Sequence, residues 1–334
     1  MSSRAPSYPV LIGGLTVLSI LLFAASLLIG PAAIGFWDSL AALIAGDGEA
    51  ATLVMREIRL PRAILGFMIG ATLGLSGAVL QGLLRNPLAD PGLLGISASA
   101  SLGAVIAIYT GLSAAFALAL PLSALLGAVL AVLAVQALAG AHGGNLTLIL
   151  AGVAVSSLAA ALTSLALNLS PNPFAALEIV FWMLGSLQDR AMTHVVLAAP
   201  FMLLGWAMLA GLGRSLDALT LGEDAAASLG VNLRRVRLLA VFGTASAVGA
   251  ATSVAGAIGF IGLVVPHLLR PLVGGRPSRL LLASALAGGA VLLAADVATR
   301  VLAPGRDLKL GVLTAIVGAP FFLWLIYRTR RAML

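Results

Sequence analysis

Cysteine is absent from this 334-residue chain, which excludes disulfides, thiol nucleophiles and thiolate metal sites. Charge is scarce as well, at 9% of residues, against roughly 25% in an average soluble domain. From Pro91 to Leu177 no charged residue occurs at all, a run long enough for several consecutive membrane helices of about 20 residues each. With 61% of its residues hydrophobic, the chain has far more apolar surface than a soluble core of this length can take in, so its solvent is lipid. The single lysine, Lys309, is followed by Leu310. A phosphate-binding loop of the Gly-x-x-x-x-Gly-Lys-Ser/Thr kind is therefore missing, and the chain is not expected to be an enzyme that hydrolyses ATP.

Other chemistry is thin too. His142, His194 and His267 lie far apart with no ligand spacing, so neither a metal site nor a cofactor is expected. Glu178, Asp296 and Asp307 fall near expected helix ends rather than at the bilayer midplane, where an ion-coupled secondary transporter, the alternative reading, places its carboxylates. Ser76, Ser97 and Ser101 are expected to bond within and between helices.

What is present is a series of apolar runs punctuated by Gly, Pro and charge. They predict an all-α integral membrane protein, a single domain over 1–334, with about ten helices near 10–30, 60–83, 92–109, 114–139, 146–168, 192–212, 236–255, 259–272, 280–302 and 309–327. The run after Arg4 is longer than a signal-peptide core and is taken as the first membrane helix. A net charge of +7 would suggest nucleic acid in a soluble chain, but here the arginines are dispersed between apolar segments and read as topology signals, so no nucleic-acid partner is expected. Their distribution favours both termini in the cytoplasm, leaving Arg56, Arg59, Arg62, Arg190, Arg300, Arg306 and Lys309 on the outer side. Gly66, Gly70, Gly74 and Gly77 form a small-residue stripe suited to close helix packing.

Two breaks are sharper than the rest. In Arg85-Asn86-Pro87-Leu88-Ala89-Asp90-Pro91 each proline ends the preceding helical conformation, while Asp90 and Pro91 suit the cap and first position of the next helix. The segment from Asp217 to Asn232 is too short and polar to span a bilayer. Gly222 breaks it, Glu223 and Asp224 suit the start of a second short helix, and Gly230 closes it. Leu219, Leu221 and Leu229 would then lie on a surface, as a docking face or as an ordinary loop folded on its own bundle.

The order and spacing of Arg59-Leu-Pro-Arg62, Gly70 to Gln81, Arg85 to Ser97, Trp182 to Leu187, Gly256 to Arg270 and Gly318 to Trp324 resemble the FecCD-type permeases over nearly the whole chain. That resemblance implies a type II ABC importer permease in the bacterial inner membrane, carrying a ferric siderophore, haem or cobalamin. It also implies a homodimer, two ATP-binding-cassette subunits that hold ATP and Mg, and a periplasmic binding protein. The coupling helices would lie at about 215–233, and Arg59, Arg62 and Arg300 would receive carboxylates of the binding protein. Taken alone, Arg300 can instead pair with Asp296 four residues earlier. One departure stands out: the family commonly has Glu-Leu/Ile-Pro-Val-Gly where this chain has Asp307-Leu-Lys309-Leu-Gly311.

Overall fold

The computed structural model describes residues 7–32, 34–45, 49–116, 118–140, 144–170, 173–304, 306 and 308–333. His142 and Asp307 lie outside the described residues. Among these residues the chain is helical throughout, without strands.

The first helix, α1 (Tyr8–Leu28), has Pro9 in its first turn, where a missing N–H costs nothing. A short helix α2 (Phe36–Ala45) follows, which the sequence reading did not foresee. Helix α3 (Ala50–Leu53) continues through one wide π turn, Val54–Arg59, into α4 (Leu60–Leu83). Pro61 explains the widening, because it cannot donate to the carbonyl four residues back. After the 85–90 turn, a 3₁₀ turn (Pro91–Leu94) leads into α5 (Ile96–Tyr109). Helices α6 (Leu112–Ala115), α7 (Ala119–Ala139), α8 (Asn145–Asn168), α9 (Pro173–Met183) and α10 (Met192–Ala210) come next. They are followed by α11 (Gly213–Leu219), α12 (Glu223–Ser228), α13 (Leu233–Ala255), α14 (Ile261–Leu269), α15 (Pro277–Leu302) and α16 (Leu310–Met333).

Seven stretches among the described residues are long and apolar enough to cross a membrane: Tyr8–Leu28, Ala50–Leu83, Ala119–Ala139, Asn145–Asn168, Met192–Ala210, Leu233–Ala255 and Pro277–Leu302. The short α5 and α14, together with α16, occupy the other three expected places. The differences are local. The helix expected at 114–139 is split by the short α6, and α9 places Glu178 midway along a helix rather than near an end.

Helix α4 is the buried axis of the bundle, with α15, α13, α10 and α14 packed around it and α5, α7 and α8 forming a neighbouring group. The glycine stripe makes this possible. A Cβ on Gly70 would collide with the Gly288 carbonyl of α15, and one on Gly77 with Gly262 of α14. In lipid, where no hydrophobic effect pulls helices together, such backbone proximity is a main source of packing energy. The irregular link between α9 and α10 is also held inside the bundle: Ser186 N–H donates to Ala255 O at the end of α13 (2.8 Å), and Gly311 N–H of α16 donates to Gly185 O (3.2 Å). Non-helical backbone at membrane depth survives only when it is enclosed and bonded in this way.

Candidate functional site

Two polar stations occupy opposite ends of α15. Ser278 in its first turn and Arg300 in its last are about 22 residues apart, hence about 33 Å at 1.5 Å per residue.

At the Ser278 end, α11 and α12 form two short helices broken at Gly222, whose φ of 112° is open to glycine and hostile to a Cβ. The pair is tied to three membrane helices. Asp217 Oδ1 accepts the Ser278 backbone N–H at 2.8 Å, capping α15 from outside that helix. Asn145, at the start of α8, donates to Glu223 Oε1 (3.2 Å) and to the last-turn carbonyl of α4, Leu83 O (3.4 Å). Glu223 and Asp224 sit in the first turn of α12, where negative charge is favoured. Leu219 corrects the sequence reading: it is 3% exposed and belongs to the core, because α11 turns that face onto the bundle. Leu221 and Leu229 are 69% and 66% exposed, and Asp224 is exposed beside them. Gly230, at φ 85°, ends the segment, and Asn232 caps α13 by accepting the Arg235 N–H at 2.9 Å.

The 85–91 turn adjoins this station through the same Asn145 contact to Leu83. Arg85 holds a left-handed conformation (φ 51°), and Asn86 N–H returns to Gln81 O at 3.2 Å, closing the end of α4. Asn86 Oδ1 accepts the Leu88 N–H (2.9 Å) just past Pro87, and Asp90 Oδ1 accepts the Gly92 N–H (2.8 Å) across Pro91. Asp90 thus caps the turn as expected. Burial pushes its carboxyl above the ordinary value, opposed by the Gly92 N–H.

At the Arg300 end, Asp296 is 1% exposed and lies between two guanidiniums. Arg62 donates through Nε and Nη2 to Asp296 Oδ1 (3.0 and 2.8 Å), and Arg300 Nη2 donates to Oδ2 at 2.8 Å. Arg300 also reaches Ser26 O (2.9 Å), Ser26 Oγ (2.8 Å) and Ile29 O. Arg59 is 3% exposed and donates to Leu27 O (2.9 Å), Leu28 O (3.0 Å) and Ala32 O. Arg56 donates to Leu43 O (2.9 Å) and Ile44 O (3.1 Å) at the end of α2. Arginines at this end therefore satisfy the last carbonyls of α1 and α2, where positive charge suits the helix dipole. A cavity of about 700 Å³ opens beside them, lined among others by Arg62, Gln188, Arg190, Asp296, Arg300 and Arg306. Burial lowers the Arg190 pKa, offset by neighbouring Asp189.

Residues 17–328 match the FecCD transport family. The chain belongs to that family. It is 41% identical over 283 residues to the cobalamin import system permease protein BtuC of Halobacterium salinarum, covering 84% of this chain and 75% of the relative. It is 37% identical over 329 residues, 96% of each chain, to the hemin transport system permease protein HmuU of Yersinia pestis. A solved structure described as a metal-chelate type ABC transporter in an inward-facing conformation superposes with a TM-score of 0.84 at 32% identity, covering 96% of this chain and 99% of that one.

Within this FecCD-family chain, sequence reasoning named Asp217, Glu223 and Arg300 but missed Asn145, Ser278 and the central part played by Asp296. Only Asp296 had a signal, its four-residue spacing from Arg300. Asn145 and Ser278 act through partners 78 and 61 residues away.

Proposed function

We propose that this chain is the membrane-spanning permease of an ATP-driven importer for a metal chelate or a corrinoid, working as a homodimer with two separate ATP-hydrolysing subunits and an extracytoplasmic binding protein. The α11–α12 station faces the cytoplasm in this reading, and both termini share that side, in the inner membrane of a bacterial cell. ATP and Mg belong to the partner subunits.

The observation that carries the reading is the construction of the α11–α12 pair. It shows Leu221, Asp224 and Leu229 outward while Asp217 and Asn145 bind it to α15, α8 and α4. A lever needs both properties, an exposed face for a moving partner and rigid attachment to the helices it must turn. Arg62, the most open of the three expected docking arginines with a side chain 18% exposed, is the group we assign to the binding protein's carboxylates. Arg59 and Arg300 support it by fixing the end of α1 and the position of Asp296.

Reconstitution tests the proposal. The chain alone in vesicles should show no uptake under a proton or sodium gradient, while adding the cognate ATPase and binding protein should give ATP-dependent uptake. Gradient-driven uptake by the chain alone would replace this reading with a secondary carrier.

A further inference from the structure

A second, smaller cavity of about 190 Å³ lies between the last turn of α7 and the first two turns of α13, lined by Gln136, Gly140, Arg234, Arg237 and Leu238. Its chemistry is one-sided. Arg234 and Arg237 stand three residues apart on α13 and so share a face, and no carboxylate lines the cavity among the described residues. Gln136 Nε2 is buried without a hydrogen-bond partner among the described residues. Gln136 Nε2 thus has a donor to give, and beside the positive charge of Arg234 and Arg237 it suits a small acceptor carrying negative charge.

Depth narrows the choice. Helix α7 has 21 residues, about 31 Å, which matches the hydrocarbon thickness of a bilayer, so its final turn falls at headgroup level. Climbing α7 from the cavity, Leu133, Leu130, Val129 and Leu126 are exposed on a strip at helical spacing, an apolar track beside the donors. A phosphate with acyl chains attached satisfies both halves of this surface at once, whereas a free anion uses only one.

We infer that the Gln136–Arg234–Arg237 cavity binds the phosphate of an anionic phospholipid whose acyl chains lie along α7. The α13 helix begins three residues after Gly230, so the lipid would brace the same helix that the α11–α12 station is joined to. The inference does not depend on the transport reading.

Native mass spectrometry of the full chain in a nonionic detergent, titrated with phosphatidylglycerol, phosphatidylcholine or inorganic phosphate, provides the test. Phosphatidylglycerol should bind the unaltered chain more tightly than phosphatidylcholine. R234Q/R237Q should weaken that binding by about 25-fold, roughly fivefold per basic residue. R214Q/R276Q removes the same charge from exposed positions near the same end and should leave it unchanged. Q136L, which keeps every charge, should also lower phosphatidylglycerol occupancy and stands in if the double variant fails to fold. Equal losses in the two double variants, equal affinity for phosphatidylcholine, an unaltered Q136L, or displacement of the lipid by millimolar inorganic phosphate would each overturn the assignment.

Discussion

Asp217 Oδ1 accepts the Ser278 backbone N–H at 2.8 Å, so the first short helix of the α11–α12 pair is fastened to the start of α15, a membrane helix of 26 residues. The far end of that helix holds Asp296 between Arg62 and Arg300. In the proposed importer, a push on the short helices would have a route along α15 to the opposite end of the bundle.

Asp217→Ala should break this fastening at a cost of about 1 kcal/mol, the usual loss for a capping acceptor. The chain should stay folded in detergent while transport per ATP hydrolysed falls. Asp217→Asn keeps an acceptor and should restore most of the ratio. Equal coupling in the alanine variant would show that the Asp217 bond transmits nothing.

Leu229→Arg and Asp224→Arg place a large cation on the exposed face of α12 without touching the buried side. Both should abolish the stimulation of the partner ATPase and leave the thermal melt of the isolated chain near its starting value. Retained stimulation in both would remove the docking role of this face.

Arg62→Gln keeps an amide donor for Asp296 but loses the charge that a docking carboxylate needs. Affinity for the binding protein should fall, and its dependence on ionic strength should shrink, because one attractive pair is gone. Measured in nanodiscs at two salt concentrations, an unchanged affinity and salt slope would end the docking proposal for Arg62.

Burial raises the Asp90 carboxyl above its ordinary value in the folded chain, so folding favours the neutral acid. The unfolded state then gives up its proton first as pH rises. Stability from this group is present below the unfolded value and declines as pH climbs through the folded one. Asp90→Asn should keep the Gly92 bond and flatten that decline in a melt series from acid to neutral pH. An identical pH slope would show that the carboxyl does not contribute.

Gly77→Val should be among the most damaging single changes, since its first side-chain atom already collides with the Gly262 carbonyl. Loss of several kcal/mol is expected from overpacking where backbone would have to move on both helices. Near-normal yield and melting of the variant would mean that α4 and α14 are not held this close in the membrane.

Local chemistry decided much of this protein before any folding was considered. The charge-free run from Pro91 to Leu177 requires lipid, the glycines of α4 announce close packing, and Gly222 with Glu223 marks a two-part loop, because each signal depends on residues a few positions apart. Tertiary structure alone decided which of those residues face inward. Leu219 and Leu221 are two positions apart in one loop, yet one is core and the other open, since the Asp217–Ser278 and Glu223–Asn145 bonds set the roll of the short helices. Arg59 and Arg62 read alike in the sequence, but the end of α1 takes the first guanidinium and Asp296, 234 residues beyond Arg62, takes the second. Helical spacing fixes which residues neighbour one another on a single helix, whereas a buried charge is governed by whichever distant carbonyl or carboxylate the packed bundle brings to it.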